Sequence, residues 1–300
     1  MVLSAFGTGR AQESTESEDV ARSGDWESAV REDARLGDLK TLDDYFPFQP
    51  PADLATWEKR RERVRRQILV AAGLWPMPDR PELKPVIYGK VDRGDYSVEK
   101  VYFESLSGFY VTGNLYRPTR GNAPYPAVLS PHGHWPDGRF YDAGEAQVAR
   151  DIENGAERFS IGGRFPIQAR CVQLARMGCV VFHYDMIGYA DSRQMPHRPG
   201  IRAHLNSAER WGFFSPRAEL LGQNMLGLQT FNSIRALDFL CGLPDVDASR
   251  IGLYGKGNGG VLCLYAAVLE PRFAKVAIER AVTSYLAIAR SRLHEGIVDI

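Results

Sequence analysis

Cysteine is scarce. The four in 300 residues, Cys171, Cys179, Cys241 and Cys263, make no C-x-x-C and no other spacing that would hold a metal. Three lie in apolar runs and one ends a helical stretch, the settings of small buried hydrophobes. There is no run of about 18 consecutive apolar residues, the length an integral membrane segment needs. Charge of one sign is lacking too: 37 Lys and Arg balance 37 Asp and Glu. The bulk electrostatics of a nucleic-acid-binding protein are therefore absent. The one basic run, "EKRRERVRR" from Glu58 to Arg66, falls in a helical pattern that turns Leu54, Trp57, Val64 and Ile68 to one face, so it reads as a solvated helix face. No internal repeat is present.

The start, "MVLSAFGTGRAQESTESED", lacks a positively charged n-region and its apolar part is short, although small residues follow where signal peptidase would want them. Two readings stand. One is a signal-peptide remnant, implying a secreted or periplasmic protein. The other is a plain disordered leader, implying a cytoplasmic one.

What is present is 44% hydrophobic residues, enough for one large domain with a substantial core. Residues 1–45 are polar and acidic and read as a mobile leader. Residues 46–95 hold a helix from Asp53, a candidate N-cap, to Ala72, with Gly73 past its end. The proline-rich "LWPMPDRPELKP" follows it. From residue 96 to 300 strands and helices alternate. "YSVEKVYFES" and "FYVTGNLYRP" form a hairpin across Leu106-Ser107-Gly108. "PAVLSP", "GCVVFHYD", "RIGLYG" and "FAKVAIE" are short apolar strands, separated by helical patterns over 164–177, 218–240 and 259–269. In the second of these, Leu221, Met225, Leu228, Phe231, Ile234 and Leu237 recur at steps of three or four. The expected fold class is α/β: a mostly parallel sheet with an antiparallel N-terminal hairpin and helices on both faces.

In such sheets ligands sit beyond the carboxyl ends of the strands. After "PAVLSP" stands His132-Gly133-His134-Trp135, a turn able to aim backbone N–H groups at a developing oxyanion. After "VVFHYD" come Gly188 and Tyr189, with Asp185 as pocket wall or cap. After "IGLY" comes Gly255-Lys256-Gly257-Asn258-Gly259-Gly260. This formally matches G-x-G-x-x-G, but its strand is not the first of the series and no acidic residue follows in a cofactor-like setting, which argues against a dinucleotide.

"PHGHW", "YDMIGYADS", "QTFNSIRALDFLCGLPDVDASRIGLYGKGNGG" and "AVLEPRFAKVAIE" together resemble bacterial α/β-hydrolases related to acetyl xylan esterases, from about Tyr96 onward. In that family the glycine turn carries the nucleophilic serine in Gly-x-Ser-x-Gly. Carried over by position, the nucleophile place is Gly257, which has no hydroxyl and cannot form an acyl-enzyme. The resemblance implies an oxyanion-hole N–H from Asn258 and a partner donor from the loop at His134. It places His132, Gly133, Trp135, Asp185, Tyr189 and Lys256 around the substrate, with Trp135, Tyr189 and Trp211 as candidate stacking rings.

It implies no cofactor and no metal, and a small-molecule ester or acetylated carbohydrate as partner. The family's acid and histidine follow the nucleophile in the chain. Here only His294, in a helical setting, does so, and the stretch after Glu279 is short, so the expected sheet lacks its C-terminal strands and has an exposed edge. The expectation is an esterase relative with little or no hydrolysis. The alternative is a non-catalytic binder of the same ligands. A third reading makes Lys256 or Asp185 an unusual nucleophile or base, which for lysine requires a lowered pKa.

Overall fold

The structure, a computed structural model, describes residues 48–194 and 211–282. The leader, His294 and residues 283–300 lie outside them. The first helix, α1 (Leu54–Ala71), starts where the Asp53 carboxylate accepts the Thr56 N–H at 2.7 Å and ends before Gly73 at φ 64°. Its expected apolar face is not buried. Leu54, Trp57 and Val64 are 70%, 45% and 39% exposed, because only the last turn docks, through Leu69, Ala72 and Leu74 on Phe231, Ile234 and Leu269.

Among the described residues seven strands follow: β1 (Val86–Asp92), β2 (Tyr96–Leu106), β3 (Phe109–Pro118), β4 (Tyr125–Leu129), β5 (Val180–Tyr184), β6 (Val246–Lys256) and β7 (Lys275–Glu279). They form one sheet in the order β1-β2-β3-β5-β4-β6-β7. β1, β2, β3 and β5 pair antiparallel in sequence, and β5, β4, β6 and β7 run parallel. The sheet thus begins at Val86, inside the stretch that reads as a linker, because β1 pairs along β2. At the other end β7 is the outer strand among the described residues, with Val276 and Ile278 exposed.

Between β4 and β5 lie α2 (Glu145–Glu153), α3 (Ser160–Arg164) and α4 (Pro166–Arg176). α4 answers the helical pattern over 164–177, with Pro166 at its first position, where the missing N–H costs nothing. Between β5 and β6 lie α5 (Trp211–Glu219) and α6 (Met225–Cys241), and α7 (Asn258–Leu269) joins β6 to β7. The expected helix over 218–240 is therefore two. Gly222 at φ 69° turns the chain, Leu220 and Leu221 are exposed, and Asn224 re-caps α6 by accepting the Gly227 N–H.

The burial pattern of β5 explains its apolar run. Every residue is buried, Val181 against Cys171 and Ala175 of α4, and Phe182 and Tyr184 on the opposite face against α6. There Phe103, Phe182 and Phe239 pack with centroids 5.0–6.0 Å apart. Such pairs add about 0.5–1.5 kcal/mol each beyond their area. This core sets the carboxyl ends of β4, β5, β6 and β7 side by side.

Candidate functional site

The turn after β6 carries the site. Gly257, φ 57° and ψ −131°, precedes α7 and donates its N–H to the Glu279 carbonyl at 2.9 Å. That backbone region costs a residue with a side chain about 1–3 kcal/mol. Its neighbours are glycine for another reason. A Cβ on Gly255 would lie 2.2 Å from the Gly259 carbonyl oxygen, and one on Gly259 2.7 Å from the Pro131 carbonyl oxygen. The strand and helix approach too closely for side chains. At Gly257 a Cβ would meet only the edge of Trp135, at 4.0 Å. The position has room for a side chain and has none.

The loop after β4 meets this turn. The side-chain amide of Asn258 donates to His134 Nε2 at 2.5 Å, so His134 Nδ1–H donates to the Tyr189 hydroxyl, also at 2.5 Å. The contact between Asn258 and His134 runs side chain to side chain. Trp211 stands edge-on to His134, 4.8 Å between centroids, and gives its indole N–H to the Ile187 carbonyl. It is 1% exposed, so it is a core ring and not a stacking platform. Tyr189 is likewise buried, its ring against His132 and His134.

His132 lies under the loop, fully buried. Its Nδ1–H donates to the Gly133 carbonyl at 2.8 Å and Nε2 accepts the Met186 N–H at 3.1 Å. Burial pushes its pKa down to about 3, so the ring is neutral. It supports the loop and has no face for substrate. Gly133 is required because a Cβ would fall 2.7 Å from the Trp135 ring. His183, behind it, donates from Nδ1 to the Ser130 carbonyl at 2.5 Å and is held well below its usual pKa by burial.

Asp185 faces inward as well. Its Oδ2 receives Arg139, the Thr112 hydroxyl at 2.6 Å and the Asp191 N–H at 3.2 Å. Burial pushes its pKa up to about 6, against the pull of Arg139. At 1% exposure it is neither pocket wall nor accessible base. It ties the β5 loop, which carries Tyr189, to the β4 loop through Arg139. Lys256 pairs with Glu279 at 3.2 Å, both half-exposed. The Tyr254 hydroxyl also donates to Glu279, at 2.5 Å, and that bond is the main reason the Glu279 pKa is lowered.

Beside the turn opens a cavity of about 690 Å³, walled by Trp135, Tyr141, Arg170, Tyr254, Lys256 and Glu279 among others. Of the expected substrate-contacting residues, Trp135 and Lys256 line it. Arg170, Tyr254 and the carboxylate of Glu279 were not singled out by the sequence reading. Arg170 lies three residues after buried Ile167, on the flank of the apolar stripe of α4, and only that placement marks it. Among the described residues no group of three or more His, Cys, Asp or Glu could hold a metal ion, and no helix is long and apolar enough to cross a membrane.

No family model matches the chain. It is 26% identical over 220 residues to "Putative hydrolase YtaP" of Bacillus subtilis (strain 168), covering 73% of this chain and 63% of that protein. Among solved structures it resembles Methylesterase BT1017, with TM-score 0.55, 23% identity and coverage of 75% of this chain and 41% of the other. It also resembles BF1801 of Bacteroides fragilis NCTC 9343, "a putative acetyl xylan esterase", with TM-score 0.59, 16% identity and coverage of 78% and 57%. The chain thus spans less than two thirds of the length of these relatives. The likeness is one of fold: the chain has the α/β-hydrolase fold, as the residues from Tyr96 onward imply.

Proposed function

We propose that this chain is an esterase-like α/β-hydrolase relative that keeps the elbow and lacks the nucleophile. It binds a small ester or acetylated carbohydrate beside the elbow and hydrolyses it little or not at all. The observation that carries the reading is Gly257, in the φ 57°, ψ −131° conformation, with open space where a side chain would be. A strained strand-to-helix turn is where this fold exposes a nucleophile, and glycine preserves the turn while removing the hydroxyl.

Among the described residues, the groups beside it are otherwise engaged. Lys256 is held by Glu279, and Asp185 is sealed behind Arg139. His134 already has its Nε2 engaged by Asn258. An oxyanion site acting alone on water leaves about 10³–10⁴-fold over the uncatalysed rate in well-built hydrolases, far below esterase turnover.

The test is p-nitrophenyl acetate hydrolysis by the purified chain, with Gly257→Ser alongside. The expected outcome is no turnover above buffer for the parent and none for Gly257→Ser, which gains a hydroxyl while the described histidines, His132, His134 and His183, are all engaged elsewhere. Parent turnover that disappears on changing Lys256 or His134 would overturn the reading.

A further inference from the structure

The first helix, α1, carries an apolar stripe that the core does not use. At about 3.6 residues per turn Trp57, Val64, Ile68 and Ala71 fall on one strip, with Arg60 along one edge and Arg61 and Arg65 along the other. Only the last turn of the helix docks, so Trp57 and Val64 stay exposed. The helix holds six cations against two carboxylates, Glu58 and Glu62, in a chain whose formal net charge is zero. Arg65 gives one bond to the Leu269 carbonyl at 3.4 Å and Arg66 lies over the Trp75 ring at 5.9 Å.

The apolar surface continues across a slot of about 680 Å³. Val64, Ile68 and Ala71 of α1 line it, with Glu219, Gly222 and Gln223 of the turn between α5 and α6. On that turn Leu220 and Leu221 are 86% and 80% exposed. They are held there by backbone: the Leu221 N–H donates to the Ala218 carbonyl and the Gly222 N–H to the Glu219 carbonyl, both at 2.9 Å. Two adjacent leucines fixed in water are costly unless something apolar receives them. A partner helix would be gripped within the slot, yet neither leucine lines it. A bilayer interface suits them better. Apolar groups enter the acyl boundary while arginines along the stripe reach the lipid phosphates.

We propose that this face lies on an anionic lipid bilayer, with Leu220, Leu221 and the Trp57–Val64 stripe entering the interface and the arginines of α1 on the phosphates. The association is peripheral and owes nothing to the elbow or its cavity.

The experiment is co-sedimentation of the purified chain with vesicles of phosphatidylcholine alone and of phosphatidylcholine and phosphatidylglycerol, two to one. The mixed vesicles should bind about tenfold more tightly or better, because each cation near such a surface adds about fivefold. Leu220→Ser with Leu221→Ser should weaken binding to them about tenfold, at low and high salt alike. Arg60→Gln with Arg61→Gln should weaken it about tenfold at low salt and remove most of its salt dependence. None of these four side chains belongs to the core, so both variants should unfold at the temperature of the parent. Equal binding to the two vesicles, absence of binding, or either variant binding as the parent does would overturn the proposal. Poly-L-glutamate bound as tightly as the mixed vesicles would also overturn it, because charge alone would then account for the face and an acidic protein would fit it as well. Release by free glycerol phosphate would do the same, because a pocket for one headgroup would then replace a surface.

Discussion

The side-chain amide of Asn258 reaches His134 Nε2 at 2.5 Å, joining the residue after the elbow glycine to the loop after β4. The contact crosses 124 residues of sequence and continues through His134 to Tyr189 on the β5 loop. Three strand ends are thereby locked by one chain of hydrogen bonds. Replacing Asn258 by alanine removes one such bond and carries no helix-propensity cost in the first turn of α7. The expected loss is about 1 kcal/mol in urea unfolding with an unchanged m-value. An unchanged midpoint would show that the contact contributes nothing to holding the loops.

The elbow glycines separate by cause. Gly257→Ala meets open space and only the backbone cost of its conformation, so about 1–3 kcal/mol is expected, with a folded product. Gly255→Ala would drive a Cβ to 2.2 Å from the Gly259 carbonyl oxygen and should cost clearly more or prevent folding. Thermal unfolding of the two variants checks the order, and a reversed order would refute the elbow geometry.

Arg139 and Asp185 are both about 1% exposed, and the carboxylate keeps one oxygen, Oδ1, without a partner. Arg139→Gln leaves a buried charge, expected to cost about 3–5 kcal/mol at pH 8. Protonating Asp185 removes that charge, so the loss should shrink at pH 5. Equal losses in urea denaturation at the two pH values would exclude this account.

Acid should weaken the fold through its buried histidines. The unfolded chain protonates His132 near 6.5, whereas in the fold its pKa is about 3, and His183 moves in the same direction. Between those values the unfolded state binds more protons, so stability present at neutral pH is lost as pH falls. Asp185 acts oppositely: its pKa rises from 3.8 to about 6, and the stability it contributes is present below about pH 4 and lost as pH rises through 6. Between pH 4 and 6 His132 and Asp185 offset each other, and His183, lowered by burial as well, tips the balance toward loss of stability on acidification. The urea midpoint should therefore be lower at pH 5 than at pH 7, and His132→Gln should flatten the difference. A midpoint that rises on acidification would contradict the buried, neutral histidines.

The sequence by itself determined the strands from β2 onward and the glycine turn after β6, because both are written locally, whereas β1 is a strand only by its pairing along β2. Unalternating apolar runs mark strands buried on two faces, and glycines cluster where strand and helix backbones nearly touch. It also determined that Gly257 has no nucleophile to offer. Only the tertiary structure decided which flanking residues face the cavity beside the turn. Asp185 and His132 stand at strand ends just as Trp135 and Lys256 do. The first two turn inward because Arg139 and the Met186 N–H lie there to receive them. The helix pattern over 218–240 failed for a similar reason. Its spacing is sound, yet α6 must start close under α1, where a Cβ on Gly227 would strike the Ala72 carbonyl oxygen at 1.8 Å, and the chain turns at Gly222 to enter it.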